Sequence, residues 1–418
     1  MSAPARLAAL APFGIRSFRF QWPADVATSW AFEMETLILG WYVLVETRSV
    51  FMLTLFASMQ YLGTLISPMM GVMGDRVGQR TVLCAMRAVY LTMAVIMMTI
   101  AYAGIMTPVL VLCIAAVTGL VRPSDIGMRA ALTGDTMPAT LLMGAMSIQR
   151  TTQDSAKIVG ALTGAALVSA LGVAPAYTVV ACMYATSVLL TLKAGRVRAA
   201  DGARAAAPRS ASPWRDLKEG LAYVWNTPLL LAVMLLAFML NVTAFPQITG
   251  LMPYVAKEVY RADQATLAYL LASFSSGALV GSITLSRHGG ALPPARAMVV
   301  FATGWYVMLM VFAHTQQLAA GIPVLVLTGF CHSMGQIPMV TVLLRNSDEK
   351  YRGRVMGIRM MAIYGNLPGL WIAGPLIAGF GYSFTATLYC VIGLASIALI
   401  ASRWRAQIWR LTAPANGH

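Results

Sequence analysis

The chain has 418 residues, of which 58% are hydrophobic and only 11% charged, against about 25% charged in ordinary soluble domains. With a mean hydropathy of +0.71, that composition cannot cover a water-facing surface, and it excludes a soluble enzyme. A net charge of +15 would suit nucleic acid if the basic residues clustered on a solvated face. Here they lie in connections between apolar runs, the distribution of a polytopic membrane protein that binds no nucleic acid.

From Met1 to Phe20 the chain carries Arg6, Arg16 and Arg19 but no short apolar core followed by a cleavage site, so the first apolar stretch reads as a retained helix. A membrane-crossing helix needs about 20 apolar residues. Runs of that kind fall at 22–45, 50–73, 82–102, 106–126, 150–171 and 175–192. The polar stretch Lys193 to Lys218, rich in Ala, Arg, Pro and Ser, reads as a central linker. Its end, Trp214 to Trp225, interleaves Trp214, Leu217, Leu221 and Tyr223 with charged residues, as suits a helix lying in the headgroup region. Six further runs follow at 228–248, 264–285, 296–314, 320–342, 355–379 and 384–402.

The expected fold is therefore an all-α membrane protein of twelve transmembrane helices in two six-helix, pseudo-symmetric bundles. Residues 1–192 form the first bundle, 193–226 the linker with its interfacial helix, 227–403 the second bundle and 404–418 a tail. Of the 30 Lys and Arg, all but Arg48, Lys157, Lys257 and Arg261 fall on one side of this plan. Both termini and the linker are expected to be cytoplasmic.

Cys84, Cys113, Cys182, Cys331 and Cys390 lie far apart, inside or beside apolar runs, and read as small buried hydrophobes rather than a disulfide or metal site. An offset of about 210 residues lays Gly71 near Gly281, Arg76 near Arg287, and the Gly160/Gly164 pair near Gly369/Gly374. A slightly larger offset brings Pro123 onto Pro338. Recurrences at nearly one offset are the mark of two similar halves.

Between the second and third runs stands GVMGDRVGQR, Gly71 to Arg80. It resembles the cytoplasmic loop signature of the major facilitator superfamily, with Gln79 where that family often has Arg. The resemblance implies a cytoplasmic gate of Gly71, Asp75, Arg76, Gly78 and Arg80, joined by Arg122 and Asp125 at the end of the fourth span. Asp75 would accept from a neighbouring helix N-terminus, by resemblance that of the eleventh span near Arg354 to Gly357. Three longer stretches narrow the likeness: the segment from Arg122 through Leu167, WRDLKEGLAYVWNTP ahead of the seventh span, and RNSDEKYRGRVMGIRMM before the eleventh. They are similar to the branch that includes the enterobactin exporter and macrolide efflux pumps. Gly160, Gly164, Gly369 and Gly374 serve close helix packing or flexing; in the family, glycines of the fifth span mark exporters, although Ala161 replaces the usual Pro.

An ionisable group near the bilayer centre costs about 2.5–3.5 kcal/mol or more on insertion scales. Those that persist need a reason. Glu33 and Glu35 lie near the middle of the first span and project on different faces, which makes either a candidate for proton coupling or substrate binding. Asp154 and Lys157, three residues apart in the fifth span, can pair with each other and are candidates for the same site or for gating. Trp30, Trp41, Gln60, Asn241, Gln247, Gln336, Tyr364 and Asn366 stand at plausible cavity depth.

No GxxxxGK[ST] loop is present for nucleotide use, and no HExxH, GxSxG or Cys/His pairing accompanies the four histidines. The expectation is a secondary active transporter, not an enzyme, without cofactor or metal. It would act as a monomer in the bacterial inner membrane and export an amphiphilic small molecule in exchange for protons. Import of a nutrient by the same fold is the alternative, and a membrane-embedded enzyme a remote one.

Overall fold

A computed structural model describes residues 11–64, 66–194, 213–288 and 293–409, and they are helical apart from short connections, with no strand among them. In the first half, α1 (Arg16–Thr47) is followed by α2 (Val50–Met59), α3 (Ser67–Val77), α4 (Gln79–Tyr102), α5 (Pro108–Thr136), α6 (Ala139–Leu171) and α7 (Val173–Lys193). A short helix, α8 (Pro213–Asn226), leads into α9 (Pro228–Thr243), whose span runs on in short turns to Val259. Then come α10 (Gln264–His288), α11 (Pro294–Ala313), α12 (Leu318–Arg345), α13 (Glu349–Met361), α14 (Asn366–Phe380) and α15 (Tyr382–Arg403).

Among the described residues ten helices are long and apolar enough to cross a membrane. Two more crossing segments complete the twelve. The first, α1, has the length but carries Asp25, Glu33, Glu35 and Glu46. The second is split between α2 and α3, and the apolar helix Val50–Thr64 forms its first part. The starts of these helices follow local chemistry. Thr107 accepts from Leu110 N ahead of Pro108 at the head of α5, and Ser49 accepts from Met52 N ahead of α2, each meeting an otherwise orphaned donor.

Contacts divide the chain into two units, residues 1–204 with 262–272, and residues 205–261 with 273–418. Within the first, α1 packs on α6 and α7, and α4 packs on α5 and α7. Within the second, α9 packs on α14 and α15, and α11 packs on α12 and α15. The helix partners therefore recur in the same order.

Glycines repeat the pattern in atomic detail. A Cβ on Gly63 would overlap the Leu120 carbonyl and one on Gly119 the Met59 carbonyl; in the second unit Gly277 meets the Val326 carbonyl and Gly329 that of Phe274. Each is a reciprocal crossing at which only glycine lets two backbones touch. Gly172 ends α6 at φ 87°, ψ 177°, and Gly381 ends α14 at φ 84°, ψ 167°, a conformation essentially confined to glycine. Their spacing matches the offset seen in the sequence.

Two expectations need correcting. The stretch taken as a loop between the fourth and fifth spans is helix: α5 continues to Thr136 and α6 already starts at Ala139, leaving Met137 and Pro138 between them. Polar residues there, among them Arg129, Thr133 and Gln149, are buried among neighbouring helices, so low hydropathy marked an internal network rather than a solvated turn. The eleventh span is also not one helix. It breaks between α13 and α14 over Ala362–Gly365, where Gly365 packs against the Phe238 carbonyl and Asn366 donates to Asn241 at 2.8 Å.

A helix stands where the interfacial one was expected, α8, and it docks on α13. Tyr223 stacks on Tyr351 with centroids 4.3 Å apart, its hydroxyl accepts from Asp348 N at 3.1 Å, and Arg354 pairs with Glu219 at 2.9 Å. Residues 1–10, 195–212 and 410–418, which hold the ends and most of the linker, lie outside the described residues.

Candidate membrane-embedded site

The charges of the first unit gather where five helices meet. Asp25 of α1 is 2% exposed and forms an ion pair with Arg87 of α4, which is fully buried. Arg129 of α5 pairs with Asp125 one turn earlier and approaches Asp25 at 3.7 Å, while Arg87 approaches Asp125 at 3.9 Å. Gln149 of α6 donates to Asp25 at 3.1 Å and to Thr133 at 2.7 Å. Arg87 also donates to Thr191 of α7. Gln21 closes the ring by donating to Thr133 and to the Arg129 carbonyl.

Two carboxylates thus face two guanidiniums, a balanced set that low-dielectric surroundings tolerate because each charge has a partner. Asp125, expected at a gate with Arg122, belongs to this network. Arg87, inside the run 82–102, and Arg129, in the connection expected after the fourth run, are both interior. Two signals pointed there: an arginine inside an apolar run, and an Asp and an Arg four residues apart on one helix.

Beside this network lies a pocket of about 250 Å³, lined among others by Ser29, Glu33, Arg122, Arg129, Arg150 and Lys157. Glu33 faces it with a quarter of its side chain exposed, and Arg122 stands 3.9 Å away. The Arg122 guanidinium donates to Gln60 and lies 3.2 Å over the Phe32 ring. Glu35 projects elsewhere: it is buried and accepts from Tyr184 of α7 at 3.0 Å. The two glutamates therefore have separate environments: Glu33 opens to the pocket with Lys157, and Glu35 is buried in a small cleft with Gln60 and Arg122. Asp154 pairs with Lys157 at 3.5 Å and also with Arg150 at 3.2 Å, so one carboxylate serves two cations.

Gly160 sets how close this wall stands to α1. A Cβ there would lie 2.8 Å from Glu33 Cβ, and one on Gly164 would lie 3.1 Å from Met34 Cα. In the second unit Gly369 meets the Val242 carbonyl, and Gly374 is buried in the same helix. Of the loop signature, Gly78 turns the chain between α3 and α4 at φ 98°. Arg80 donates to the Thr191 and Leu192 carbonyls, capping the negative end of α7. Arg76 is exposed, and Gly71 and Asp75 lie outside the described residues at side-chain level.

Two of the polar residues expected at cavity depth make hydrogen bonds within their own unit. Trp30 donates to Thr163 at 2.8 Å, and Gln247 donates to the Thr243 carbonyl at 2.9 Å while buried. Among the described residues no group of His, Cys, Asp or Glu is arranged to hold a metal ion.

The model of the Major Facilitator Superfamily matches residues 22–368. The enterobactin exporter EntS of Escherichia coli O1:K1 is 22% identical over 173 residues, a match spanning 41% of this chain and 40% of that protein. The chain's likeness thus covers less than half of that relative's length. Among solved structures, the POT family transporter PepTSo superposes with a TM-score of 0.73 at 11% identity, covering 94% of this chain and 99% of that one. The nucleoside transporter NupG does so with a TM-score of 0.67 at 14% identity, covering 94% and 100%. At such identities the structures speak for the fold alone. With most of its length matched by the family model and a helical fold shared with these transporters, the chain is a multi-pass membrane protein and a transporter rather than an enzyme, and it belongs to the Major Facilitator Superfamily.

Proposed function

We propose that this transporter is a secondary active exporter that moves an amphiphilic small molecule out of a bacterial cell in exchange for protons, by alternating access. The observation that carries the reading is Glu33, a carboxylate on a membrane helix that faces a pocket and has Arg122 within 3.9 Å. A charge retained at that depth despite its insertion cost calls for a working role. A counter-cation that can let go of it when a proton arrives supplies one. The similarity to an enterobactin exporter favours outward movement.

In this reading residues 1–192 and 227–403 are the two bundles, joined by a cytoplasmic linker, with both termini cytoplasmic in the inner membrane and a single chain as the working unit. Asp75 and the residues around it act as the cytoplasmic gate with Arg122 and Asp125, and Glu35, Asp154 and Lys157 complete the coupling and binding set. If Asp75 closes that side, Asp75→Asn shifts the labelling of cysteines placed there, and an unchanged pattern removes it from the gate.

Accumulation of fluorescent dyes and antibiotics in efflux-deficient cells expressing the chain, with and without a protonophore, tests the function. Lower accumulation that the protonophore abolishes supports proton-driven export. Unchanged accumulation with good membrane expression refutes export of amphiphiles of this kind and turns the search to import.

A further inference from the structure

We propose that the pocket beside Glu33 binds an anionic group of the transported molecule, a carboxylate, sulfonate or phosphate, through Lys157, Arg150 and Arg122. This rests on the transporter reading and names its substrate class. The charges that line the pocket do not cancel. Arg129 is matched by Asp125 and backed by the Asp25–Arg87 pair, and Arg122 faces Glu33. On the α6 wall, Arg150 and Lys157 share the single carboxylate of Asp154. One cation remains uncompensated. Glu35 is not among the residues lining this pocket; its carboxylate accepts from Tyr184 in a separate small cleft that shares Arg122 and Phe32 with it.

Lys157 is not a loop charge of the positive-inside kind. Lys157 is near the middle of α6, a helix running from Ala139 to Leu171. At 1.5 Å per residue it stands roughly 21 Å from the Leu171 end, inside a hydrocarbon core about 30 Å thick. Its side chain is half exposed and Arg150 is mostly so, which leaves both able to turn toward a ligand. Phe32, with Arg122 above it, offers an apolar surface next to the cations, as an amphiphile with an anionic end requires.

The matched probes are 8-anilinonaphthalene-1-sulfonate and N-phenyl-1-naphthylamine, the same ring system with and without a sulfonate. Each is titrated by fluorescence into the full chain in phosphatidylcholine nanodiscs, with empty discs subtracted. The expected result is tighter binding of the sulfonate, with its Kd raised about tenfold in the double variant Lys157→Gln/Arg150→Gln and largely recovered in Lys157→Arg/Arg150→Lys. Both residues are exposed enough that the variants keep the bundle packed, which thermal unfolding verifies. Equal binding of the two probes, no binding of the sulfonate, or a preference that survives the double variant overturns the proposal. Loss of the preference when phosphatidylglycerol replaces half of the phosphatidylcholine overturns the substrate assignment in favour of a lipid headgroup. Because no gradient is applied, sulfonate binding that holds while protonophore-sensitive efflux is absent separates failure of the export reading from failure of this one.

Discussion

Arg122 of α5 stands 3.9 Å from Glu33 of α1 while donating to Gln60 at the end of α2, so one guanidinium ties three helices of the first unit around a single pocket. Protonation of Glu33 removes the charge that faces it, and the tie to Gln60 is then free to rearrange. If this is the coupling step, Glu33→Gln abolishes pH-driven flux in proteoliposomes while substrate binding stays measurable. Flux that still follows the pH gradient in that variant removes Glu33 from the coupling role.

The Asp25–Arg87 pair is a different kind of interaction, buried and matched. Arg87→Ala deprives Asp25 of its closest cation and is expected to destabilise the protein by about 3–5 kcal/mol. The double variant Asp25→Leu/Arg87→Met leaves Arg129 with Asp125 and is expected to recover most of that loss. Thermal unfolding of the purified protein in detergent, compared across the three, decides whether the network acts as paired charges.

Gly160 meets Glu33 too closely for any side chain. Gly160→Ala is expected to push α6 from α1, costing about 1–3 kcal/mol and displacing Glu33 from Arg122. A fall in flux together with a lower unfolding temperature would show that packing here positions the carboxylate. Flux lost at unchanged stability would instead favour a flexing role for this glycine.

The docking of α8 on α13 rests on the Tyr223–Tyr351 stack and the Glu219–Arg354 pair. Tyr223→Ala removes the stack and the acceptor for Asp348 N, at a cost of about 1–3 kcal/mol. Limited proteolysis near 213–226 is the readout, and cleavage should become faster than in the parent protein.

Hydropathy alone determined that this chain lives in a bilayer and how many times it crosses, because a lipid core admits only long apolar helices whose backbone groups are satisfied internally. The repeat was also legible: Gly160 with Gly369 and Pro123 with Pro338 recur at nearly one offset, as small and helix-distorting residues must where helix crossings are repeated. Glu33 and Glu35 stood out because charge inside an apolar run is costly wherever the run folds.

Which of the two glutamates faces the pocket of Lys157, and which bonds Tyr184, depended on side chains of α5 and α7 that lie some 90 and 150 residues away. Only the tertiary structure could decide it. For the same reason Arg129 read as a charge of the connection after the fourth run, and α5 looked ten residues too short at its end and α6 eleven at its start. A buried ion pair has the hydropathy of a solvated turn, and what distinguishes the two is the partner that packing brings, not the residues in sequence.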